Sequence, residues 1–363
     1  MLSIQNILNL KKKKSLILFI LLSLLYFQSS GNEEYSEIEH LWIPQHYGKI
    51  KGIKKLLYTQ SFARSQLRFI DIDNDGDDDL FVGKKDGRIA FFTNNVSPPK
   101  SNLILETENY SVIHEGIDNL GNSKLNEIIL DIGENASPEF VDIDNDDDFD
   151  LFIGSNDGHI FFYENKGNQL KPHFFRKTPL YMGLKFGKNS VPRFADLNGD
   201  NKFDLIVGTG SGEIIVFFNS GTLEDALFCP KFNVNDPPDI RCRFQPEIIG
   251  DIAPFIDAVP ALVDWDNDKD LDLVVGKSNG KLNFYLNNGN RYSPRWELKS
   301  KNFQFINEGG SIFPNFHDLN SDNFPELFLG TTSSKTILYD NKDVLFDKLS
   351  KIKKIRLKKN YPL

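Results

Sequence analysis

The sequence predicts an all-β fold: a β-propeller of four-stranded antiparallel blades with five repeats visible. Three observations carry this. An acidic nine-residue segment recurs at Asp71–Asp79, Asp142–Asp150, Asp196–Asp204, Asp264–Asp272 and Asp318–Glu326, with starts 71, 54, 68 and 54 residues apart. Each segment runs into Leu, two apolar residues and Gly, ending at Gly83, Gly154, Gly208, Gly276 and Gly330. Short runs rich in Phe, Val, Ile and Tyr flank the acids, bounded by Gly, Asn and Asp, and no sustained helical period interrupts them.

One unit therefore reads strand, acidic loop, strand, Gly turn, strand. The first strand ends on an apolar residue two positions before each loop (Phe69, Phe140, Phe194, Leu262, Phe316). Four copies carry Pro two positions earlier: Pro138, Pro192, Pro260 and Pro314. The second strand is the LFVG-type run. A Gly then opens the third strand at Gly87, Gly158, Gly212 and Gly280, where the fifth copy has Ser334. The fourth strand is expected in the variable segment, around Phe174 and Phe175 or Trp296 to Leu298. Radial repetition of such sheets protects their edges. Five blades is the expected count, with six or seven open. Residues 32–66 and the C-terminal stretch 341–363 either close the last blade or supply a degenerate further one, and Lys354 to Lys358 alternates as a closing strand would.

Ahead of the repeats, residues 1–31 read as a signal peptide. Lys11 to Lys14 form a basic region, Ser15 to Phe27 an apolar stretch, and Ser29 and Gly31 supply small residues before a cleavage point. The apolar run is short for a span of about 20 residues; retention as an N-terminal anchor is the alternative to cleavage. The expected location is secreted, periplasmic or at the cell surface, with no stable membrane span after cleavage.

The chain of 363 residues carries a net charge of -9, with 42 Lys+Arg against 51 Asp+Glu. Cleavage removes four Lys and no acid, giving -13. Such a balance argues against nucleic acid as a partner.

Oxygen ligands at loop positions 1, 3, 5 and 9, with a backbone carbonyl at 7, suit a hard cation that takes six or more oxygens. The candidate ligands are Asp71, Asp73, Asp75 and Asp79; Asp142, Asp144, Asp146 and Asp150; Asp196, Asn198, Asp200 and Asp204; Asp264, Asp266, Asp268 and Asp272; and Asp318, Asn320, Asp322 and Glu326. Carboxylates occupy all of these positions except Asn198 and Asn320, and so many acids within nine residues repel one another without a cation. An EF-hand requires Glu at position 12, which here is Val82, Ile153, Val207, Val275 or Leu329. Up to five structural Ca²⁺ are therefore expected, which would bring -13 to -3. The fifth copy, with Pro325 and the longer Glu326, reads either as a weaker site or as a metal-free Asx turn.

These residues resemble the FG-GAP or VCBS repeats that build the integrin alpha-subunit propeller head and many secreted bacterial proteins. The five ligand sets above fall on the calcium positions of that motif. The resemblance covers about residues 65–340 and implies adhesion, ligand recognition or a scaffold role toward a protein or glycan; the family is usually seven-bladed.

Cys229 and Cys242 enclose a loop containing Pro237 and Pro238, read as a disulfide staple in an exported chain, with two free thiols as the alternative. GTGSG at Gly208–Gly212 lacks the Lys of a phosphate loop and reads as a turn. The tail from Lys348 to Lys359 holds seven cationic residues and reads as a solvated strand or frayed end. No HExxH, GxSxG, CxxCH or dinucleotide fingerprint occurs. The leading expectation is a non-catalytic calcium-stabilised binding, adhesion or scaffold module, its ligand held by inter-blade loops or the variable segments near Tyr110 to Leu120 and Cys229 to Cys242. The alternative is a carbohydrate-active lyase or hydrolase on the same scaffold.

Overall fold

The structure, a computed structural model, describes residues 43–45, 62–96, 103–117, 123–228, 247–249, 257–319, 321–333 and 336–340. All of them belong to the compact unit Trp42–Leu363; the other unit, Met1–Leu41, lies outside the described residues. The signal-peptide segment, Cys229, Cys242, Asn320, Ser334, the Lys354–Lys358 stretch and the basic tail also lie outside them.

Alternating apolar runs broken by Gly, Asn and Asp form strands that pair with their sequence neighbours. Blade 1 is β2 (Gln66–Ile70), β3 (Asp79–Gly83), β4 (Ile89–Thr93) and β5 (Ile104–Thr107). Two further strands, β6 (Ser111–Ile117) and β7 (Ser123–Ile129), pair as an antiparallel hairpin. Blade 2 is β8 (Ser137–Val141), β9 (Asp150–Gly154), β10 (Ile160–Asn165) and β11 (Phe174–Thr178). Here the structure departs from four strands: β6 joins β11 through a parallel bridge at Phe175 and Ile113, making a six-stranded sheet.

Blade 3 is β12 (Val191–Ala195), β13 (Asp204–Gly208), β14 (Ile214–Phe217) and β15 (Glu247–Ile249). Blade 4 is β16 (Val259–Val263), β17 (Asp272–Gly276), β18 (Leu282–Asn287) and β19 (Trp296–Ser300). Blade 5 is β20 (Ile312–His317), β21 (Glu326–Thr331) and β22 (Thr336–Asp340), and its outer strand is β1 (Ile43–Gln45), from the N-terminal side. β1 runs antiparallel to β22 with Ile43 opposite Asp340. The described helical structure includes two single 3-10 turns, Tyr181–Gly183 and Phe303–Phe305.

The repeated Gly and Pro join neighbouring blades. A Cβ at Gly83, Gly154, Gly208 or Gly276 would lie 2.0 to 2.3 Å from a backbone oxygen of the next blade's inner strand or the residue before it, and within 2.7 Å of the Cδ of Pro138, Pro192, Pro260 or Pro314. Gly330 makes the corresponding approach to Ser65, which leads into blade 1, so the ring closes at five. Proline fits because each inner strand is a sheet edge and owes no ladder hydrogen bond on its open side.

The apolar core lies between blades rather than within one. Phe140 of blade 2 packs on Phe81 of blade 1 at 4.5 Å, Phe194 of blade 3 on Phe152 of blade 2 at 4.7 Å, and Phe69 of blade 1 on Phe328 of blade 5 at 4.6 Å. Thus in blades 1, 2 and 3 the Phe two places before the loop packs on the preceding blade. Leu262 and Phe316 take the same place against the clusters that join blades 3 and 4 and blades 4 and 5.

Candidate metal centres

All five acidic segments connect a blade's first strand to its second. Position 1 follows the first strand, and position 9 opens the second, directly opposite the first strand's last residue: Ile70 with Asp79, Val141 with Asp150, Ala195 with Asp204, Val263 with Asp272, His317 with Glu326.

The backbone between them follows one plan. Positions 4 and 6 are left-handed in every copy: Asn74 and Gly76, Asn145 and Asp147, Gly199 and Asn201, Asn267 and Lys269, Ser321 and Asn323. Asn and Gly enter that region at low cost, which explains their frequency here; Lys269 at φ 74° is held there by the loop. The position-1 carboxylate accepts from the backbone N–H of positions 5 and 6. Asp71 receives Asp75 and Gly76 at 3.0 Å each, and Asp318 receives Asp322 at 3.0 Å and Asn323 at 2.7 Å. Position 5 accepts from the N–H of position 7, as in Asp146 from Asp148 and Asp268 from Asp270. The fifth loop shares every one of these features over its described residues.

Position 9 is tied down from a distance. One oxygen of Asp79, Asp150, Asp204 and Asp272 accepts from the N–H of Asn94, Asn165, Asn219 and Asn287 respectively, at 2.7 to 2.8 Å. Asn165, Asn219 and Asn287 then use their own side-chain oxygens to hold the turn after the third strand. This relay was missed in the sequence, although an Asn fifteen residues after position 9 recurs in all five copies, the fifth being Asn341, outside the described residues.

The acids converge. Ligand atoms of Asp71, Asp73 and Asp75 lie within 4.8 Å of one another, as do those of Asp142, Asp144 and Asp146, and of Asp264, Asp266 and Asp268. Several oxygens in the loops are buried with no hydrogen-bond partner: Asp73 Oδ1, Asp77 Oδ1 and Asp79 Oδ2 in the first, Asp148 Oδ1 and Asp150 Oδ2 in the second, and Asp270 Oδ1 in the fourth. A buried carboxylate oxygen without a donor is costly, and a hard cation satisfies it. The donor set therefore fits a divalent ion held by oxygens.

Asp77, Asp148 and Asp270 stand at position 7, which the sequence reading reserved for a carbonyl. Their side chains are buried beside the other acids, and the visible signal was an Asp in three of five copies.

The electrostatics agree with these distances. Burial, reinforced by the neighbouring acids, pushes Asp79 up to about 7 and Asp150 and Asp272 up to about 8, against the lowering hydrogen bond from the Asn relay and, at Asp272, a second from the Trp265 N–H. Asp204 rises to about 7 by burial, and Asp148 and Asp270 to about 6.

The third loop differs. Arg291 Nη2 stands 3.4 Å from Asp196 Oδ2, and Lys202 Nζ 3.0 Å from Asp200 Oδ2, so two cations already face its acids. Beside it is a hollow of about 450 Å³, lined by Asn198, Asp200 and Lys202 on one side and Tyr292 on the other. GTGSG at Gly208–Gly212 is the turn from β13 to β14, as expected.

The family model for the FG-GAP-like repeat matches residues 142–207 and 264–329. The chain carries FG-GAP-like repeats. Each match starts on the first Asp of one loop and takes in the next, so four of the five loops fall within the matched FG-GAP-like repeats. No curated protein matches the chain.

Among solved structures, the Tc holotoxin pore of Photorhabdus luminescens is 14% identical at a TM-score of 0.37, with 84% of this chain and 14% of that one covered. This chain therefore spans about one seventh of the holotoxin chain's length. Sqt1 of Saccharomyces cerevisiae is 11% identical at a TM-score of 0.35, with 76% of this chain and 84% of that one covered.

Proposed function

We propose that this FG-GAP-repeat propeller is an exported, calcium-stabilised, non-catalytic binding module whose loops hold structural Ca²⁺ and whose ligand is a protein or glycan. A propeller of this kind presents loops on a rigid ring, which suits a binding or scaffold role in general. The observation that carries the calcium reading is the set of buried, unpartnered carboxylate oxygens at positions 7 and 9 of the first and second loops. Carboxylates gathered by short chain loops favour Ca²⁺, which takes six to eight oxygens in flexible geometry, over softer metals.

Export follows from the basic and apolar N-terminal sequence, and extracellular calcium near 1 mM suits sites of modest affinity. Among the described residues no helix is long and apolar enough to cross a membrane.

For the ligand, the hollow at the third loop is the favoured surface. The Tyr292 ring is 73% exposed and lies against Gly199, presenting an aromatic face next to the polar side chains of Asn198 and Asp200. An apolar ring beside fixed polar groups suits the alternating apolar and hydroxyl surface of a sugar.

Calorimetric titration of the metal-stripped protein with CaCl₂ tests the first part; heat release with three or more sites per chain supports it, and absence of binding at millimolar calcium ends it. A glycan array run in calcium tests the second. Binding that Tyr292→Ala abolishes without changing the melting temperature supports the hollow, whereas release of reducing ends would assign the chain to the carbohydrate-active enzymes.

A further inference from the structure

The five inner strands meet along the propeller axis, and what they place there is charged. The residues three places before each acidic loop are Arg68, Glu139, Arg193, Ala261 and Asn315. Arg193, from blade 3, donates to Glu139 of blade 2, to the carbonyl of Pro260 of blade 4, and across the axis to Gln66 of blade 1 at 3.3 Å. Arg68 binds the same Glu139 oxygen through Nε and the Leu67 carbonyl through Nη1. On the side of the strand starts this layer is capped by Val191, Val259 and Phe313, which pack together. Beyond that cap, Arg64 pairs with Asp257 at 3.2 Å, so the next charged level is balanced by itself. On the other side, the strand ends Ile70, Val141, Ala195, Val263 and His317 carry no acid themselves, and Asp78 is paired with His317 at 3.1 Å.

The axial layer thus holds two guanidinium groups and one carboxylate. Both arginine side chains are more than nine-tenths buried, with 9% of Arg68 and 5% of Arg193 exposed. Every nitrogen of Arg193 has an acceptor. Nη2 of Arg68 has none, and it is buried. Two independent facts therefore coincide at one place among the described residues: an excess positive charge that no described acid balances, and a guanidinium nitrogen without an acceptor. Leaving a buried charge uncompensated costs several kcal/mol, whereas a charge-assisted hydrogen bond to an anion satisfies both. Glu139 does not supply more charge, since burial works against its ionised form while Arg68 favours it.

We propose that the propeller axis carries a site for a small monovalent anion of the halide class, held by Arg68 Nη2. It is separate from the acidic loops, opposite in charge, and closes the hub that braces four of the five blades. Water at the same place would satisfy the nitrogen but leave the charge.

The probe is bromide. Crystals of the calcium-loaded protein equilibrated in sodium bromide are expected to give an anomalous peak in contact with Arg68 Nη2; no peak, with water or a protein atom there instead, overturns the site. In solution, the wild-type melting temperature should rise saturably with sodium chloride against sodium gluconate at equal ionic strength, gluconate being too large for an enclosed position. A flat response overturns the proposal. Arg68→Gln leaves Arg193 and Glu139 balanced, and its melting temperature should not respond to chloride; a response equal to wild type in the folded variant overturns it too. Should Arg68→Gln fail to fold, the bromide map of the wild type still decides.

Discussion

At Asp79 and Asp150 the two oxygens of one carboxylate have different duties. One accepts from an Asn backbone N–H and holds the blade together; the other is buried and unpartnered. Asp79→Asn keeps an acceptor for the first duty and removes the charge needed for the second. In metal-free protein this variant should melt at or above the wild-type temperature, because a buried anion among anions is gone. In calcium it should lose the contribution of one loop, about 1.4 kcal/mol if the site binds near 0.1 mM at 1 mM calcium. Melting curves of both proteins with and without calcium check the two signs, and a variant that destabilises equally in both conditions contradicts the division of labour.

The same carboxyls set a pH dependence. Unfolded, they titrate near 3.8; folded, Asp79 and Asp204 titrate at about 7 and Asp150 and Asp272 at about 8. Between those values the metal-free folded state binds more protons than the unfolded one, so its stability falls as pH rises through that window. Metal-free protein should therefore melt lower at pH 8 than at pH 5. Calcium should reverse the slope by displacing the protons, which a pH-stat would record as acid released on addition of CaCl₂.

Among the elements, the loop is the most legible in the sequence. Its ligand spacing and its Asn, Gly or Ser at position 4 are local, and a nine-residue turn is specified mainly by its own residues. Three features were not legible. Side-chain burial at position 7 depends on how the loop folds back over Asp77, Asp148 and Asp270. The relay to Asn94, Asn165, Asn219 and Asn287 depends on pairing between the second and third strands. The β6–β7 hairpin attaches to blade 2 through β11, a parallel contact that no local pattern announces.

The strand-ending Gly was readable as a repeat but not as a contact; its role appears only when the next blade arrives. Gly208→Ala would place a methyl 2.1 Å from the Ala258 carbonyl oxygen, with Pro260 also close. Overpacking of this kind costs about 1–3 kcal/mol. Denaturant unfolding should show that loss, because the contact cannot open without parting blades 3 and 4.

The described blades form a closed ring whose inner surfaces are inter-blade aromatic contacts and whose axis is a charged hub. Its stability should depend strongly on metal. If all five loops bind calcium, about 1.4 kcal/mol each would sum to about 7 kcal/mol, comparable with the total of roughly 5–15 kcal/mol for a typical domain. Chelation should lower the melting temperature by many degrees, and identical curves in excess EDTA and in millimolar calcium would contradict the structural role.

The residue pattern alone specified the blade: repeat number, strand order within a unit, the candidate loop ligands and the FG-GAP resemblance, because each rests on residues near in sequence. Tertiary packing settled the rest. Gly330 against Ser65 closes the ring at five, where the family resemblance had left six or seven open, and β1 rather than an additional blade completes the last sheet. Arg68, Glu139 and Arg193 lie 54 to 71 residues apart, and only ring closure brings them to one axis. Their charge balance is a property of five strands converging, and no single repeat contains it.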